Sequence, residues 1–177
     1  LTVEAQRRGW DAEFVATGQT GMLIAGSGLP IDHYISDFVN GAAEQLVLER
    51  KRREILFIEG QGSIAHPAYS AVSLGLLHGC APDAMILCHM PARKYTVSIP
   101  APIQPLPALI RMHEDLARII CPSKVVGIGL NTYGMSDAKA RAAVAAAERE
   151  TGLPATGVYR FGAGKLMDAV EKYYGRR

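Results

Sequence analysis

A run of apolar residues within Glu54–Ile58 (EILFI) shows no polar alternation and leads directly into Glu59-Gly60-Gln61-Gly62-Ser63. A strand without such alternation is buried on both of its faces, which is typical of a parallel sheet covered by helices. The run therefore predicts an α/β fold in which helices flank a mostly parallel sheet.

Segments of strand and helix character alternate along the rest of the chain. Predicted strands cover 11–17, 54–58, 83–89, 124–130 and 155–159. One predicted helix ends at Gly9, and the others cover 30–53, 68–78, 106–120, 137–151 and 164–174. The Ala-rich helix over 137–151 is capped by Ser136 at its start and by Gly152 at its end. This alternation predicts a three-layer architecture with right-handed crossovers. The proline-rich segment Pro100–Pro107 is the long irregular connection, and either a lid or an extended linker explains it.

Length and composition narrow the class of protein. The chain has 177 residues, which is enough for a single domain over 1–177. A formal net charge of +2 does not indicate a nucleic-acid partner, and no apolar run reaches the ~18 residues of a membrane span. The basic run Arg50–Arg53 is interpreted as a solvated helix end, with contact to a polyanion as the alternative. Three cysteines without paired spacing fit reduced thiols and a cytoplasmic location.

Polar residues follow every predicted strand, and open parallel sheets bind ligands at the carboxyl ends of their strands. The groups are Gly18-Gln19-Thr20-Gly21 after the first strand, 59–63 with His66 after the second, His89 with Arg93 and Lys94 after the third, Asn131 with Thr132 after the fourth, and Arg160 with Phe161 after the fifth. No strand start carries polar groups as densely. We therefore expect the functional site at the carboxyl edge.

Glu59 is the strongest candidate among these groups. A carboxylate directly after an apolar strand lies at its rim, where ionisation needs a metal, a cation or several backbone amides. Gly18, Gly21 and Gly62 either bring amides toward an anion or simply allow tight turns. His66 is either a general base or an ordinary turn residue.

Further positions each leave two interpretations open. Asp37 either faces Glu59 across a pocket or faces solvent. Arg93 and Lys94 either supply positive charge to a phosphate or carboxylate, or belong to a solvated loop. Asn131 either hydrogen-bonds a nucleotide base or caps the next turn.

A linked series of motifs carries a family resemblance. The segments FVATGQTGMLIAG, ISDFVNGAAE, LFIEGQGSIAHPAYSAVSLGLLHG and GIGLNT resemble the carboxyl-terminal domain of a bacterial and archaeal P-loop family. That family was long labelled only as a domain of unknown function, and some members are described as D-glutamate N-acetyltransferases. The resemblance spans essentially the whole chain.

The resemblance implies a P-loop NTPase-like fold whose first strand and phosphate loop are absent from this chain. Relatives carry a GKxTT-type phosphate loop just before the helix that here begins at Leu1, and a smaller Rossmann-like domain before that. Residues 1–9 look like the last turns of a helix, and the chain does not begin with Met. We therefore expect it to be the carboxyl-terminal part of a longer protein, partnered by this missing front.

The wider superfamily, which includes dethiobiotin synthetase, implies roles for two of the candidates. Glu59 in IEGQGS matches the acidic residue of a strand-ending VEGxGG motif, whose carboxylate helps to hold magnesium or to order the phosphate end. Asn131 matches a strand-ending asparagine that contacts a nucleotide base. A CoA thioester carries an adenine and phosphates, so one such pocket suits either ATP or acetyl-CoA.

Acetyl transfer from acetyl-CoA to the amine of an acidic amino acid, D-glutamate above all, is the first functional hypothesis. It needs a base, for which Glu59 and His66 are candidates, and hydrogen-bond donors to the thioester oxygen from the glycine-rich segments. In this hypothesis Gln19 and Thr20 contact the acceptor or the acyl group. Gln61, Gly62 and Ser63 belong to the second glycine-rich segment that donates hydrogen bonds to the thioester oxygen. Arg93 and Lys94 pair with the carboxylates of the small-molecule substrate.

Two other hypotheses remain open at this stage. One is an ATP-dependent ligase or kinase of the dethiobiotin-synthetase kind, with Glu59 and Asp37 on magnesium. The other is a non-catalytic half that needs its amino-terminal part for activity. The apolar composition also leaves room for a homo-oligomer, although Ala-rich helices explain it equally well.

Overall fold

Helices and strands alternate along the chain in the computed structural model, which describes residues 1–175. The strands are β1 (Ala12–Val15), β2 (Ile55–Ile58), β3 (Ala84–His89), β4 (Lys124–Leu130) and β5 (Ala155–Thr156). The helices are α1 (Thr2–Arg7), α2 (Gln19–Ala25), α3 (Val39–Leu48), α4 (Ser70–Cys80), α5 (Leu106–Ala117), α6 (Asp137–Thr151), α7 (Val158–Phe161) and α8 (Gly164–Tyr174). These strands pair in parallel, in the orders β1–β2 and β3–β4–β5. The predicted fold class, α/β with parallel strands and flanking helices, is confirmed.

The chain divides into two compact units, residues 1–82 with 119–121 and residues 83–118 with those from 122 onward. The first unit contains β1, β2 and α1 to α4, and the second contains β3 to β5 and α5 to α8. The single domain over 1–177 stays a prediction. Over residues 1–175, none of the helices combines the length and the apolar character that crossing a membrane requires.

The core of the first unit forms where α3 packs against α4. Two glycines of α4 allow this close approach. A Cβ at Gly79 would overlap the carbonyl oxygen of Asn40, and one at Gly75 would press on the side chain of Val39. Six buried residues fill the core around this contact: Ile31, Val39, Ala42, Ala43, Leu76 and Cys80.

We expect Gly79→Ala to destabilise the protein by about 1–3 kcal/mol, because the backbone of Asn40 must shift to admit the methyl group. Gly41→Ala is the matched control, since no atom lies within 4 Å of a Cβ built at that position in α3. That control should raise stability by about 0.4–1 kcal/mol through the lower entropy of the unfolded chain. Urea unfolding of the two variants tests the contact, and equal effects would contradict it.

The second unit is organised around β4, which lies between β3 and β5. Val125 and Ile128 of β4 are buried, as are Leu166 and Met167 of α8. Gly127 lies against the side chain of Leu166, where a Cβ would stand only 2.8 Å away. The packing of α8 on β4 therefore depends on the small residue in the strand.

Three predicted elements of this unit, β4, α6 and α8, are confirmed to the residue. Helix α6 begins where Ser136 Oγ accepts a hydrogen bond from the Lys139 amide at 3.4 Å. It ends at Gly152, which adopts the left-handed conformation with φ +71°. Local capping chemistry defines both ends, which is why the sequence was sufficient here.

The helix predicted over 30–53 is wrong at both ends. Its first part forms two 3₁₀ turns, Ile31–His33 and Ser36–Phe38, and α3 runs only from Val39 to Leu48. Ile35 and Phe38 have apolar spacing within the range predicted as a helix, yet they are 70% and 64% exposed. The extended backbone of Ile35, with ψ 135°, interrupts the helical spacing.

Other predicted boundaries also need correction. Residues 19–21 form the first turn of α2 rather than a loop, and Gly18 occupies the N-cap position. The last predicted strand stops at Thr156, because the amides of Arg160 and Phe161 donate to the Gly157 carbonyl and start α7. The residues of β2 are half-buried rather than fully buried, and among the described strands β2 pairs with β1 alone.

The segment before α5 is more ordered than an extended linker. An antiparallel bridge joins Tyr95 to Pro102, and Thr96 Oγ1 accepts a hydrogen bond from the Ala101 amide at 2.9 Å. Pro105 precedes the first turn of α5. The structure thus forms a closed turn over 95–102, and the role of a lid stays a prediction.

The basic run after α3 pairs with Glu13 of the first strand and with Asp11 just before it. Arg50 Nη1 also donates to the Leu46 carbonyl of α3 at 3.0 Å, as expected at a helix end, but its side chain is only 15% exposed and so is not solvated. Arg50 Nε donates to Glu13 Oε1 at 2.9 Å, and Arg53 Nε donates to Glu13 Oε2 at 2.8 Å. Arg53 also binds Asp11 at 2.7 Å. The hydrogen bond from Arg53 is the main cause of the lowered pKa of Glu13, and Arg50 contributes further.

Because the pKa of Glu13 is lower in the folded chain, its stabilising effect is complete above its ordinary value of 4.5 and is lost as the pH falls through the folded value. Glu13→Gln should therefore reduce the acid sensitivity of unfolding. The side chains are partly exposed, so the difference should be about 0.2–1 kcal/mol. Urea unfolding between pH 7 and pH 3 measures it, with Glu44→Gln as the control on an exposed face of α3. Equal acid sensitivity of the unmodified protein, Glu13→Gln and Glu44→Gln would contradict this role of Glu13.

Candidate functional site

Glu59 lies immediately after β2 and holds the end of β1 through the backbone. Its Oε2 accepts hydrogen bonds from the amides of Thr17 at 3.0 Å and Gly18 at 3.1 Å. In return, Thr17 Oγ1 donates to the Glu59 carbonyl at 2.8 Å. Backbone amides thus supply the stabilisation that a partly buried carboxylate requires, which was one of the three predicted sources.

Glycines surround this carboxylate because no side chain fits beside it. A Cβ at Gly21 would overlap Glu59 Oε2, and one at Gly18 would overlap the amide nitrogen of Gln61. The first turn of α2 therefore packs directly on the carboxylate and amide groups that follow β2. The glycines predicted as turn or anion-binding residues serve this close approach.

Gln61 extends the same network. Its Nε2 donates to Thr17 Oγ1 at 3.2 Å, and its carbonyl accepts a hydrogen bond from Ser73 Oγ of α4 at 2.5 Å. Gly62 follows with φ +54°, a left-handed conformation that favours glycine. We name Thr17, Gly18, Glu59 and Gln61 the strand-end cluster.

His66 and Ser63 stabilise the turn that leads into α4. His66 is 7% exposed, its ring stacks on Tyr69 with centroids 4.5 Å apart, and its Nδ1 accepts a hydrogen bond from the Ala68 amide at 3.1 Å. Ser63 Oγ accepts a hydrogen bond from the Ala65 amide at 3.2 Å. A ring nitrogen that accepts from a backbone amide carries no proton, so a neutral ring has its proton on Nε2 and Nδ1 is already occupied. This geometry gives His66 a structural task, and its role as a base stays a prediction.

The remaining candidates of the first unit are exposed. Gln19 Nε2 donates to the carboxylate of Asp32 at 3.3 Å, and this bond and the neighbouring His33 lower the pKa of Asp32. Thr20 and Asp37 face solvent. Within residues 1–175, no group of three or more His, Cys, Asp or Glu side chains is arranged to hold a metal ion, so the magnesium ligands Glu59 and Asp37 stay a prediction.

Glu59→Ala should destabilise the protein by about 1–3 kcal/mol, because it leaves the buried amides of Thr17 and Gly18 without their acceptor. Glu59→Gln is the matched variant, since its amide oxygen can still accept from both. It should retain most of that stability. Urea unfolding distinguishes the two, and equal losses would show that the charge of Glu59, rather than its hydrogen bonds, holds the turn.

In the second unit, His89 and Leu130 end the paired strands β3 and β4 beside an open cleft of about 440 Å³. Arg93 and Lys94 line this cleft together with Glu150 of α6, and their pairing with a ligand stays a prediction. The other lining residues are Pro91, Ile103, Gln104, Pro105, Leu106, Ala143, Ala146 and Ala147. Burial lowers the pKa of His89, and the charge of Glu150 opposes that effect.

Asn131 forms part of the turn after β4. Its amide donates to the His89 carbonyl at 2.8 Å, and its Oδ1 accepts a hydrogen bond from the Tyr133 amide at 3.0 Å. The turn-capping interpretation therefore describes what this side chain does in the structure, and contact with a nucleotide base stays a prediction. Arg160, also expected at this edge, binds Asp137 and the Met135 carbonyl.

Two residues of these sites escaped the sequence analysis. Thr17 is fully buried and lies at the centre of the strand-end cluster. The available signal was a polar residue at the end of the predicted strand, directly before Gly18. Glu150 had no signal, because it lies inside a helix far along the chain from the strand ends.

Comparison with known proteins places these features in a family. The model of the P-loop domain of DUF1611, a domain of unknown function, matches residues 1–167. A crystal structure of a DUF1611 family protein from Anabaena variabilis is 42% identical and superposes with a TM-score of 0.93, over 97% of this chain and 51% of that one.

Two relatives are named D-glutamate N-acetyltransferase. The one from Tritonibacter scottomollicae is 40% identical over 96% of this chain and 52% of its own length. The one from a Pseudoalteromonas species is 43% identical over 71% of this chain and 39% of its own length. The chain therefore spans about half the length of these relatives or less. On the match over residues 1–167, the chain belongs to the DUF1611 family through its P-loop domain.

Proposed function

We propose that this chain is part of an N-acetyltransferase that moves an acetyl group from acetyl-CoA to the amine of an acidic amino acid, with D-glutamate as the best candidate. The names of the two relatives support this proposal. The chain spans about half the length of the relative from Tritonibacter scottomollicae. The activity is therefore proposed for the complete protein that contains this chain.

The geometry of Glu59 is the structural observation that carries the proposal. Its Oε2 is held by the amides of Thr17 and Gly18, whereas its Oε1 accepts no hydrogen bond from residues 1–175. A carboxylate that is oriented through one oxygen and receives no hydrogen bond at the other is suited to accept a proton. The nearby Gln61 is already bound to Thr17 and Ser73, which makes the arrangement rigid.

Acetyl transfer requires such a proton acceptor. The amine nitrogen forms a bond with the acyl carbon, the C–S bond of the thioester breaks, and the proton of the amine must leave. In the proposal Glu59 Oε1 takes that proton, and the thiolate of CoA leaves. The Thr17 and Gly18 amides act through Glu59, because they donate to its carboxylate and not to the substrate.

The complete gene product containing this chain, incubated with acetyl-CoA and D-glutamate, should release free CoA thiol and form N-acetylglutamate. A thiol reagent and mass spectrometry measure the two products. Glu59→Gln should lower kcat by about 10²–10⁴-fold, as expected for the loss of a general base. Release of thiol no faster than without D-glutamate would overturn the proposal.

Thermal unfolding separates this proposal from an ATP-dependent ligase or kinase. Acetyl-CoA should raise the melting temperature without magnesium, since a ligand that binds the folded state stabilises it. If only ATP with magnesium raised it, the ligase or kinase would be favoured. Assays of residues 1–177 alone beside the complete gene product would show whether this half is active by itself.

A further inference from the structure

The cleft beside His89 contains charged groups that make no ion pair with the residues that the structure describes. Arg93, Lys94 and Glu150 line the cleft, and their side chains form no hydrogen bond or ion pair with residues 1–175. Some other cations of the same unit are bound to carboxylates, Lys124 to Glu114 at 2.7 Å and Lys165 to Glu148 at 2.9 Å. The charges of the cleft are therefore available to a ligand.

The charges of the cleft match those of an acidic amino acid. Such a ligand carries two carboxylates and one ammonium at neutral pH, and the cleft presents two cations after β3 and one carboxylate on α6. His89 adds no third cation near neutral pH, because burial lowers its pKa although the charge of Glu150 opposes the shift. Gln104 supplies a neutral amide. A ligand with phosphates alone would meet the repulsion of Glu150.

The size and lining of the cleft also suit a small polar ligand with a hydrocarbon stem. Its volume of about 440 Å³ lies within the range of small-molecule sites, roughly 300–1,000 Å³. Leu130, Ile103 and the alanines of α6 form apolar walls. Methylene groups between two carboxylates can pack on such walls while the charged ends reach Arg93, Lys94 and Glu150.

We infer that this cleft binds an acidic amino acid, with Arg93 and Lys94 on its carboxylates and Glu150 on its ammonium. The inference rests on the proposed acetyl transfer for the identity of the ligand. Recognition of the ammonium by Glu150 selects an amino acid over a dicarboxylate of the same length. Arg93 offers a planar pair of donors to one carboxylate, and Lys94 offers a point charge to the other.

Isothermal titration calorimetry on the complete gene product tests this assignment with D-glutamate, glutarate and coenzyme A. Arg93→Ala and Lys94→Ala should each weaken D-glutamate and glutarate by about tenfold, because each loses a charge-assisted contact to a carboxylate. Glu150→Gln should weaken D-glutamate by a similar factor and leave glutarate unchanged or tighter. Arg149→Ala is the matched control, since it removes an exposed cation of α6 that does not line the cleft.

The outcomes separate this inference from the proposed function. D-glutamate binding that depends on Arg93 and Glu150, without acetyl transfer, would support the cleft and overturn the activity. If the protein transferred the acetyl group but the cleft variants bound D-glutamate as Arg149→Ala does, the activity would be supported and the assignment of the cleft overturned. Absence of D-glutamate binding to the unmodified protein, or loss of coenzyme A binding alone in Arg93→Ala, would overturn the inference.

Discussion

The pair of hydrogen bonds from the Thr17 and Gly18 amides to Glu59 joins the ends of β1 and β2, and the surrounding structure depends on it. The parallel pairing brings Val15 beside Ile58 and places the next residues of both strands at the same edge. There the carboxylate satisfies two buried amides, and the start of α2 can lie against it only because residue 21 is glycine. The hydrogen bonds of one carboxylate to the backbone thus bring the end of a strand and the start of a helix together.

Some basic residues of the chain form ion pairs with acidic residues, and others do not. Arg50 and Arg53 are tied to Asp11 and Glu13, and these ion pairs join the segment after α3 to the first strand. Arg93 and Lys94 belong to a turn after β3 and stand at an open cleft. Similar residue types therefore form ion pairs in one place and make none with residues 1–175 in another.

The sequence predicted best where a feature depends on neighbouring residues. The limits of α6 follow from the capping of Ser136 and the left-handed Gly152, and both were recognised from the residues alone. The region 30–53 failed because apolar spacing does not distinguish a helix from two 3₁₀ turns whose apolar side chains remain exposed. At the candidate site, Glu59 was identified from its place after an apolar strand, whereas its partner Thr17 was not.

By itself, the sequence determined the alternation of strands and helices, the parallel fold class and the polar character of the strand ends, because hydrophobic periodicity and capping are local properties. Only the tertiary structure decided which of those polar groups form hydrogen bonds within the chain. It placed Nδ1 of His66 on a backbone amide and Asn131 in a turn, and it left one oxygen of Glu59 without a donor among residues 1–175. It also brought Glu150 from the end of α6 to the cleft lined by Arg93. Such pairings join residues that are distant in the chain, and local pattern carries no information about them.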